Sequence, residues 1–350
     1  MTSAAAPSRY DLDRDAFAKV LAGEPTYRVE QVWDGLYRQG RELDELTNVP
    51  KALRHRLVSI LPTALTEVTR TTADDGQTIK WLWELRDGHR IETVLMHYPD
   101  RSTVCVSSQA GCAMACGFCA TGQAGFDRHL TAGEIVEQVV RARREAGDRR
   151  VSNIVFMGMG EPLANFGPMW SAVHRLHDDL GIGARHLTVS TVGLVPGIKR
   201  LTAADLPVNL AVSLHAANDT LRSRLVPINR RYPLDQLITA CEDYTTVTRR
   251  RVSFEWALIA DVNDRFTDAE ELAEIARPLR AHVNLIPLNA TPGYPTQGSS
   301  RNRVMRFRDA LEAAGINATV RDTRGSDIDA ACGQLRAGHE AKVVLTERAR

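Results

Sequence analysis

From Thr103 onward the chain alternates short apolar runs with amphipathic stretches, and this order narrows the possible folds more than any other feature. The runs at 103–106, 153–157, 186–190, 208–214, 252–259 and 282–287 have the length of buried strands. Segments 131–146, 168–180, 234–247, 268–279 and 301–314, lying between or after them, read as helices. Six strand–helix units of this kind predict an α/β fold: a parallel sheet with right-handed crossovers that curls into a partial (β/α)6 barrel. A seventh short strand at 317–321 is expected at one edge.

Upstream the pattern differs. Phe17, Val20 and Leu21, then Val29, Val32, Trp33, Leu36 and Tyr37, recur at helical spacing, with breaks at Pro25, Gly40 and Pro50. Residues 65–72, 79–85 and 91–97 are β-rich and are separated by Asp74-Asp75-Gly76 and Asp87-Gly88, two hairpin turns. The expected organisation is a helical accessory unit over 1–62, a β-hairpin extension over 63–99, a barrel core over 100–335 and a tail over 336–350.

Strand–helix barrels carry their chemistry at the C-terminal ends of the strands, and the polar motifs of this chain gather there. Cys112, Cys116 and Cys119 follow the first strand in a C-x3-C-x2-C spacing. Three thiolates can hold three irons of a four-iron, four-sulfur (4Fe–4S) cube and leave the fourth iron open. A structural zinc site would want a fourth Cys or His at short spacing, and a ferredoxin run a further Cys followed by Pro; nothing suitable follows Cys119 before His129. S-adenosylmethionine (SAM) suits an open iron, because its amino and carboxylate groups can chelate the metal while an electron cleaves its sulfonium bond. Gly158-Met159-Gly160-Glu161-Pro162 follows the second strand, Ser190 the third, Ser213-Leu214-His215 the fourth and Asn289 the sixth. Glycine lets backbone approach a ligand closely, and Glu161 offers a carboxylate to the SAM ammonium.

With 350 residues and 43% hydrophobic content the chain can bury one large core and a smaller one. No apolar run approaches bilayer length and the first residues lack the order of a secretory signal, so a cytoplasmic protein without membrane contact is expected. Six cysteines, three of them crowded into eight residues, do not resemble a secreted disulfide framework. Cys241 reads as packing on an amphipathic helix, whereas Cys332 lies in a loop beside Gly325-Ser326-Asp327 and Gly333. The net charge of +1 hides arginine clusters at Arg141, Arg143, Arg144, Arg149 and Arg150, at Arg222, Arg224, Arg230 and Arg231, at Arg249, Arg250 and Arg251, and at Arg301, Arg303, Arg306 and Arg308. Such clusters make RNA a plausible partner.

Four segments together carry a family resemblance: the stretch from Cys105 to Gly122 with the three cysteines, Gly-Met-Gly-Glu-Pro, Ser-Leu-His-Ala, and Asp-Ile-Asp-Ala-Ala-Cys-Gly-Gln-Leu around Cys332. The chain closely resembles the radical SAM adenine methyltransferases of 23S ribosomal RNA, the RlmN and Cfr group. The resemblance implies a 4Fe–4S cluster on Cys112, Cys116 and Cys119, with SAM contacts at Gly160, Glu161, Ser190, Ser213, Leu214, His215 and Asn289. It implies two SAM molecules per turnover: one methylates the Cys332 sulfur, and the other yields a 5′-deoxyadenosyl radical that activates the methyl group. Cys105 then resolves the protein–RNA adduct by a disulfide with Cys332. Glu92 matches the family's proposed proton acceptor, although from the residues alone it reads as an exposed strand carboxylate. The implied product is 2-methyladenosine in 23S rRNA, at adenosine 2503 in the family's nucleotide numbering, and at adenosine 37 of tRNA. A flavodoxin- or ferredoxin-type protein is the implied electron donor. C8 methylation of the same rRNA adenine, a non-methylating radical SAM reaction and a metal-stabilised RNA-binding module stay open as alternatives.

Overall fold

The computed structural model describes residues 7–289, 291, 294, 297–321, 324–331, 333–335 and 337. Three helices, α1 (Arg14–Val20), α2 (Tyr27–Tyr37) and α3 (Lys51–Ile60), form the N-terminal module. Its core is aromatic: Trp33 stacks on Tyr37 with ring centroids 4.6 Å apart, and Phe17 meets Trp33 edge-on. The module is fastened to the barrel wall by polar bonds, since Trp33 Nε1 donates to Asp179 Oδ1 at 2.8 Å and Arg175 donates to the Tyr37 hydroxyl at 3.0 Å.

Four strands follow: β1 (Leu65–Ala73), β2 (Thr78–Leu85), β3 (Arg90–His97) and β4 (Ser102–Cys105). The loop after β4 holds β5 (Gln109–Gly111), α4 (Ala120–Ala124) and β6 (Phe126–His129). The alternation then runs α5 (Ala132–Ala146), β7 (Val151–Phe156), α6 (Phe166–His174), β8 (Leu187–Thr191), α7 (Val195–Thr202), β9 (Asn209–Ser213) and α8 (Asp219–Leu225). It ends with α9 (Leu234–Thr248), β10 (Val252–Leu258), α10 (Phe266–Leu279), β11 (His282–Pro287), α11 (Arg301–Ala313) and β12 (Asn317–Val320). Local chemistry sets these bounds. At α5, for instance, Thr131 Oγ1 accepts from the Glu134 amide at 3.1 Å while the Glu134 carboxylate accepts from the Thr131 amide at 2.9 Å, a reciprocal cap.

The ten-stranded sheet has the order β1-β2-β3-β4-β7-β8-β9-β10-β11-β12. Strands β4 and β7 through β12 are parallel, and β1, β2 and β3 continue the sheet antiparallel from β4, where Val94 faces Cys105. Side chains from six consecutive strands, among them Val155, Thr188, Ala211, Ser253, His282 and Asn317, line one cavity at the N-terminal end of the parallel strands. Neighbouring strands lie about 4.8 Å apart, so a flat sheet would spread these residues over roughly 24 Å. Sharing one cavity requires the sheet to curl, as expected for a partial barrel. Among the described residues no helix is long and apolar enough to cross a membrane.

Candidate active site

At the opposite end of the parallel strands a mainly apolar cavity of about 150 Å³ collects the expected residues. Cys112, Cys116 and Cys119 line it together with Gly160, Glu161, Ser190, Ser213, His215 and Asn289. Leu214 does not: its side chain is buried behind the cavity, and its amide donates to the Glu255 carbonyl at 3.0 Å. Met157, Ala257, Ile286 and Leu288 supply apolar wall.

The three cysteines come from the loop between β5 and α4. The Cys112 amide donates to the Gly125 carbonyl at 2.6 Å and the Cys119 amide to the Cys116 carbonyl at 3.1 Å, so the loop returns on itself and Cys119 begins α4. Burial pushes the Cys112 thiol up to about 12 and the Cys116 thiol well above its ordinary value, with the neighbouring thiols adding to the rise. Left to themselves such groups stay neutral, whereas a bound cation inverts this preference and holds them as thiolates. Three clustered sulfurs, an apolar surround that includes Met114 and Phe118, and polar atoms opposite fit a 4Fe–4S cluster with one exposed iron.

Around this loop the side chains are stitched tightly. Glu161 is buried; its carboxylate accepts from the Leu163 amide at 3.0 Å and the Val192 amide at 2.8 Å, and burial raises its pKa to about 7. Gly160 has φ of +104°, and a Cβ there would lie 2.5 Å from Gln109 Cβ. Gly160→Ala combines left-handed strain with this overlap, so it is expected to weaken SAM binding at least about tenfold, or roughly 1.4 kcal/mol, in equilibrium dialysis. The Ser190 hydroxyl donates to the Phe156 carbonyl at 2.5 Å. His215 also has positive φ, +59°; its Nδ1 accepts from the Ala257 amide at 3.0 Å, so the proton of the neutral ring is on Nε2. Burial and Arg222 lower the His215 pKa to about 3, and its ring meets Phe118 edge-on.

Several supporting residues escaped the sequence reading. Gln109 Oε1 accepts from the Glu161 amide at 2.7 Å, and Asn165 Nδ2 donates to the Ser108 and Leu130 carbonyls. Arg222, grouped above with phosphate-binding arginines, is fully buried. Its guanidinium donates to the carbonyls of Leu214 (3.1 Å), Val192 (2.7 Å) and Ser213 (3.2 Å) and to Asn229 Oδ1 (2.7 Å), tying together the loops after β8 and β9. That corrects its assignment: Arg222 cannot reach RNA. Nothing in the local sequence separates it from exposed arginines, because its burial arises only when the two loops meet.

Cys105 lies buried at the end of β4 and lines a second, smaller cavity with Met157, Asn289, Arg321, Arg324 and Ala331. Asn289 and Leu335 line both cavities. Cys332 lies outside the described residues. Its neighbours are placed: Ala331 lines the second cavity and Gly333 the first. The segment is held by α4, where the Ala120 amide donates to the Gly333 carbonyl at 2.7 Å and Thr121 Oγ1 to the Leu335 carbonyl at 2.5 Å. Glu92 is buried, which corrects the reading as an exposed carboxylate. Its carboxylate pairs with Lys80 Nζ at 2.9 Å and accepts from the Ala337 amide at 3.0 Å, and it lines neither cavity.

Comparisons with known proteins agree with this geometry. A profile of the Radical SAM superfamily matches residues 106–276. A Chloroflexus aurantiacus protein called "Probable dual-specificity RNA methyltransferase RlmN" is 49% identical over 357 aligned residues, covering 97% of this chain and 95% of its own length. A Parafrankia protein of the same name is 50% identical, covering 93% of this chain and 91% of its own. The crystal structure of a radical SAM methyltransferase from Sphaerobacter thermophilus superposes with a TM-score of 0.92 at 53% identity, covering 95% of this chain and 99% of that one.

Proposed function

Because the chain belongs to the RlmN family of radical SAM RNA methyltransferases, we propose that it methylates C2 of an adenine in 23S rRNA and C2 of adenosine 37 in tRNA through a methyl-cysteine on Cys332. The observation that carries this reading is the joining of two sites: one cavity lined by the three cysteines and the other by Cys105 meet at Asn289, beside the two neighbours of Cys332. Membership of this family leaves no place for the binding-module and non-methylating alternatives.

In this reading Cys112, Cys116 and Cys119 hold the cluster, which when bound supplies the electron that cleaves SAM. Gly160 gives backbone access, Glu161 sets the loop after β8 through the Val192 amide, and His215 presents an Nε2–H donor beside Ser190, Ser213 and Asn289. Cys332 carries the methyl group to the adenine carbon. The Cys105 thiolate then attacks the Cys332 sulfur; the sulfur–carbon bond to the product breaks as the sulfur–sulfur bond forms, and its electron pair passes to the product carbon, which takes up a proton to complete the methyl group. Glu92, which matches the family's proposed proton acceptor, pairs with Lys80 and accepts from the Ala337 amide, and so helps fasten the chain that follows Cys332. The helical unit over 1–62 serves as the accessory RNA-binding part, and a flavodoxin- or ferredoxin-type protein delivers the electron.

Nucleoside mass spectrometry tests the assignment. RNA treated with the cluster-loaded enzyme should gain 2-methyladenosine, and Cys332→Ala should abolish it while SAM cleavage to 5′-deoxyadenosine continues. A gain of 8-methyladenosine instead would transfer the chain to the C8 reaction, and undiminished product from Cys332→Ala would remove the methyl-cysteine.

A further inference from the structure

The antiparallel strands that extend the barrel sheet have two differently used faces. Thr93 of β3 points to the helix side, where its hydroxyl donates to Gln138 Oε1 of α5 at 2.8 Å. The register sets Thr78 opposite Met96, Lys80 opposite Val94, Leu82 opposite Glu92 and Val94 opposite Cys105. Partners across a ladder share a face, and so do alternate residues of one strand. Thr78, Lys80, Glu92, Met96 and Cys105 therefore lie together on the side away from α5. Met96 and Cys105 line the second cavity there with Ala330 and Ala331, so this face looks onto the segment that leads to Cys332.

Bonds along the whole segment fasten it to these strands. Arg324 Nη1 donates to the His97 carbonyl at 2.9 Å, and the Gly325 amide to Asp74 Oδ2 at 3.1 Å. Thr78 Oγ1 donates to the same Asp74 oxygen at 2.5 Å and so aims it. Lys80 Nζ donates to the Asp329 carbonyl at 3.2 Å, and the Ala337 amide to Glu92 Oε2 at 3.0 Å. Lys80 joins the last two points, because its Nζ also lies 2.9 Å from Glu92 Oε1. An ammonium carries three donors, so the carbonyl and the carboxylate take separate hydrogens. The two side chains are only 13% and 6% exposed, which sets this pair apart from a screened surface contact.

We propose that this face is the dock of the methyl carrier and that Lys80 is its central positioning residue, holding the chain before and after Cys332 at once through the Asp329 carbonyl and Glu92. The proposal rests on the reading above that Cys332 carries the methyl group. That sulfur has to serve SAM on one side and Cys105 on the other, and its neighbours Gly333 and Ala331 line the two cavities concerned. On the cluster side α4 holds the carbonyls of Gly333 and Leu335; on the other side Asp74, Lys80 and Glu92 hold Gly325, Asp329 and Ala337. Reaction needs the partner atoms about 3–3.5 Å apart, and a misplacement of about 1 Å can cost roughly a hundredfold in rate. Lys80 lines neither cavity, so it acts through the segment and not on the reacting atoms.

The test compares full-length, cluster-loaded wild type, Lys80→Met and Lys80→Arg, with dithionite as reductant and an RNA hairpin that the wild type methylates. Methionine keeps the length of the stem and removes the donors. Lys80→Met should lower kcat for RNA methylation at least about tenfold with KM for RNA unchanged. SAM cleavage should continue, so the ratio of 5′-deoxyadenosine to methylated adenosine should rise by the same factor. Lys80→Arg, which can still donate to both oxygens, should return most of kcat and of the ratio. An unchanged kcat and ratio in folded Lys80→Met would overturn the proposal. So would a raised KM with kcat intact, which would assign Lys80 to RNA binding, and so would an equal fall of cleavage and methylation, which would confine it to the stability of the fold. Should Lys80→Met misfold, Asp74→Gly carries the comparison: φ at Asp74 is +53°, which glycine adopts without strain, and the change removes the acceptor of the Gly325 amide. Asp74→Gly should raise the same ratio, and an unchanged ratio there would overturn the dock. Undiminished product from Cys332→Ala is read without any Lys80 variant and would sink the methyl-cysteine reading itself.

Discussion

Cys116→Ala should purify as a folded protein that takes up no 4Fe–4S cluster and makes no 5′-deoxyadenosine from SAM. The side chain packs in an apolar group with Leu221, Leu225, Val226 and Ile259, so a methyl in place of the thiol keeps most of the packing. Truncating one small buried residue costs about 1 kcal/mol, well within the margin of a domain of this size. The chemistry has no such margin. With two thiols in place of three, two irons lack protein ligands, and the loss of SAM cleavage should exceed about a thousandfold, or roughly 4 kcal/mol of barrier. Iron analysis and the visible absorption of anaerobically reconstituted protein check the first part, and chromatographic assay of 5′-deoxyadenosine the second. Retention of a full cluster in this variant would show that Cys116 is not one of its corners.

Arg222→Met is expected to reduce stability and SAM affinity together. Removing the guanidinium strands three carbonyls and the Asn229 amide oxygen inside the protein, each worth about 1–3 kcal/mol when unsatisfied. Part of that is returned, because the arginine is a buried cation whose hydrogen-bond partners are all neutral; burial lowers its pKa to about 10. The net expectation is a loss of about 3 kcal/mol in urea unfolding, with SAM binding weakened roughly tenfold as the loops after β8 and β9 part. Arg222→Lys should fall between the two, since a single ammonium can reach only some of the four acceptors. Unchanged SAM affinity in a destabilised Arg222→Met would confine this residue to the fold.

Much of the barrel is legible in the sequence because periodicity is a local signal. The strand expected at 282–287 is β11, and helices expected at 234–247 and 301–314 match α9 and α11 to within a residue. Four short elements were not legible: β5 and β6 frame the cysteine loop, and α7 and α8 bridge adjacent strands, each too short to display a repeat. The continuation of the barrel sheet through β3 was also hidden, since pairing between Val94 and Cys105 is a tertiary fact. At the site, the cysteine spacing and the glycine motif carry their chemistry in consecutive residues. Gln109, Asn165 and Arg222 do not, because each acts on backbone from a different strand–helix unit. Glu92 was misread for a related reason: a carboxylate on a strand is buried only when Lys80 on the neighbouring strand and Ala337 at the far end of the chain converge on it.

The first two residues of α4 bind the carbonyls of Gly333 and Leu335, and the residue before them is the last cysteine of the trio. In the proposed mechanism the cluster would therefore be anchored one residue from the mooring of the loop that leads to and from Cys332, so loss of iron is expected to disturb both halves of the reaction together.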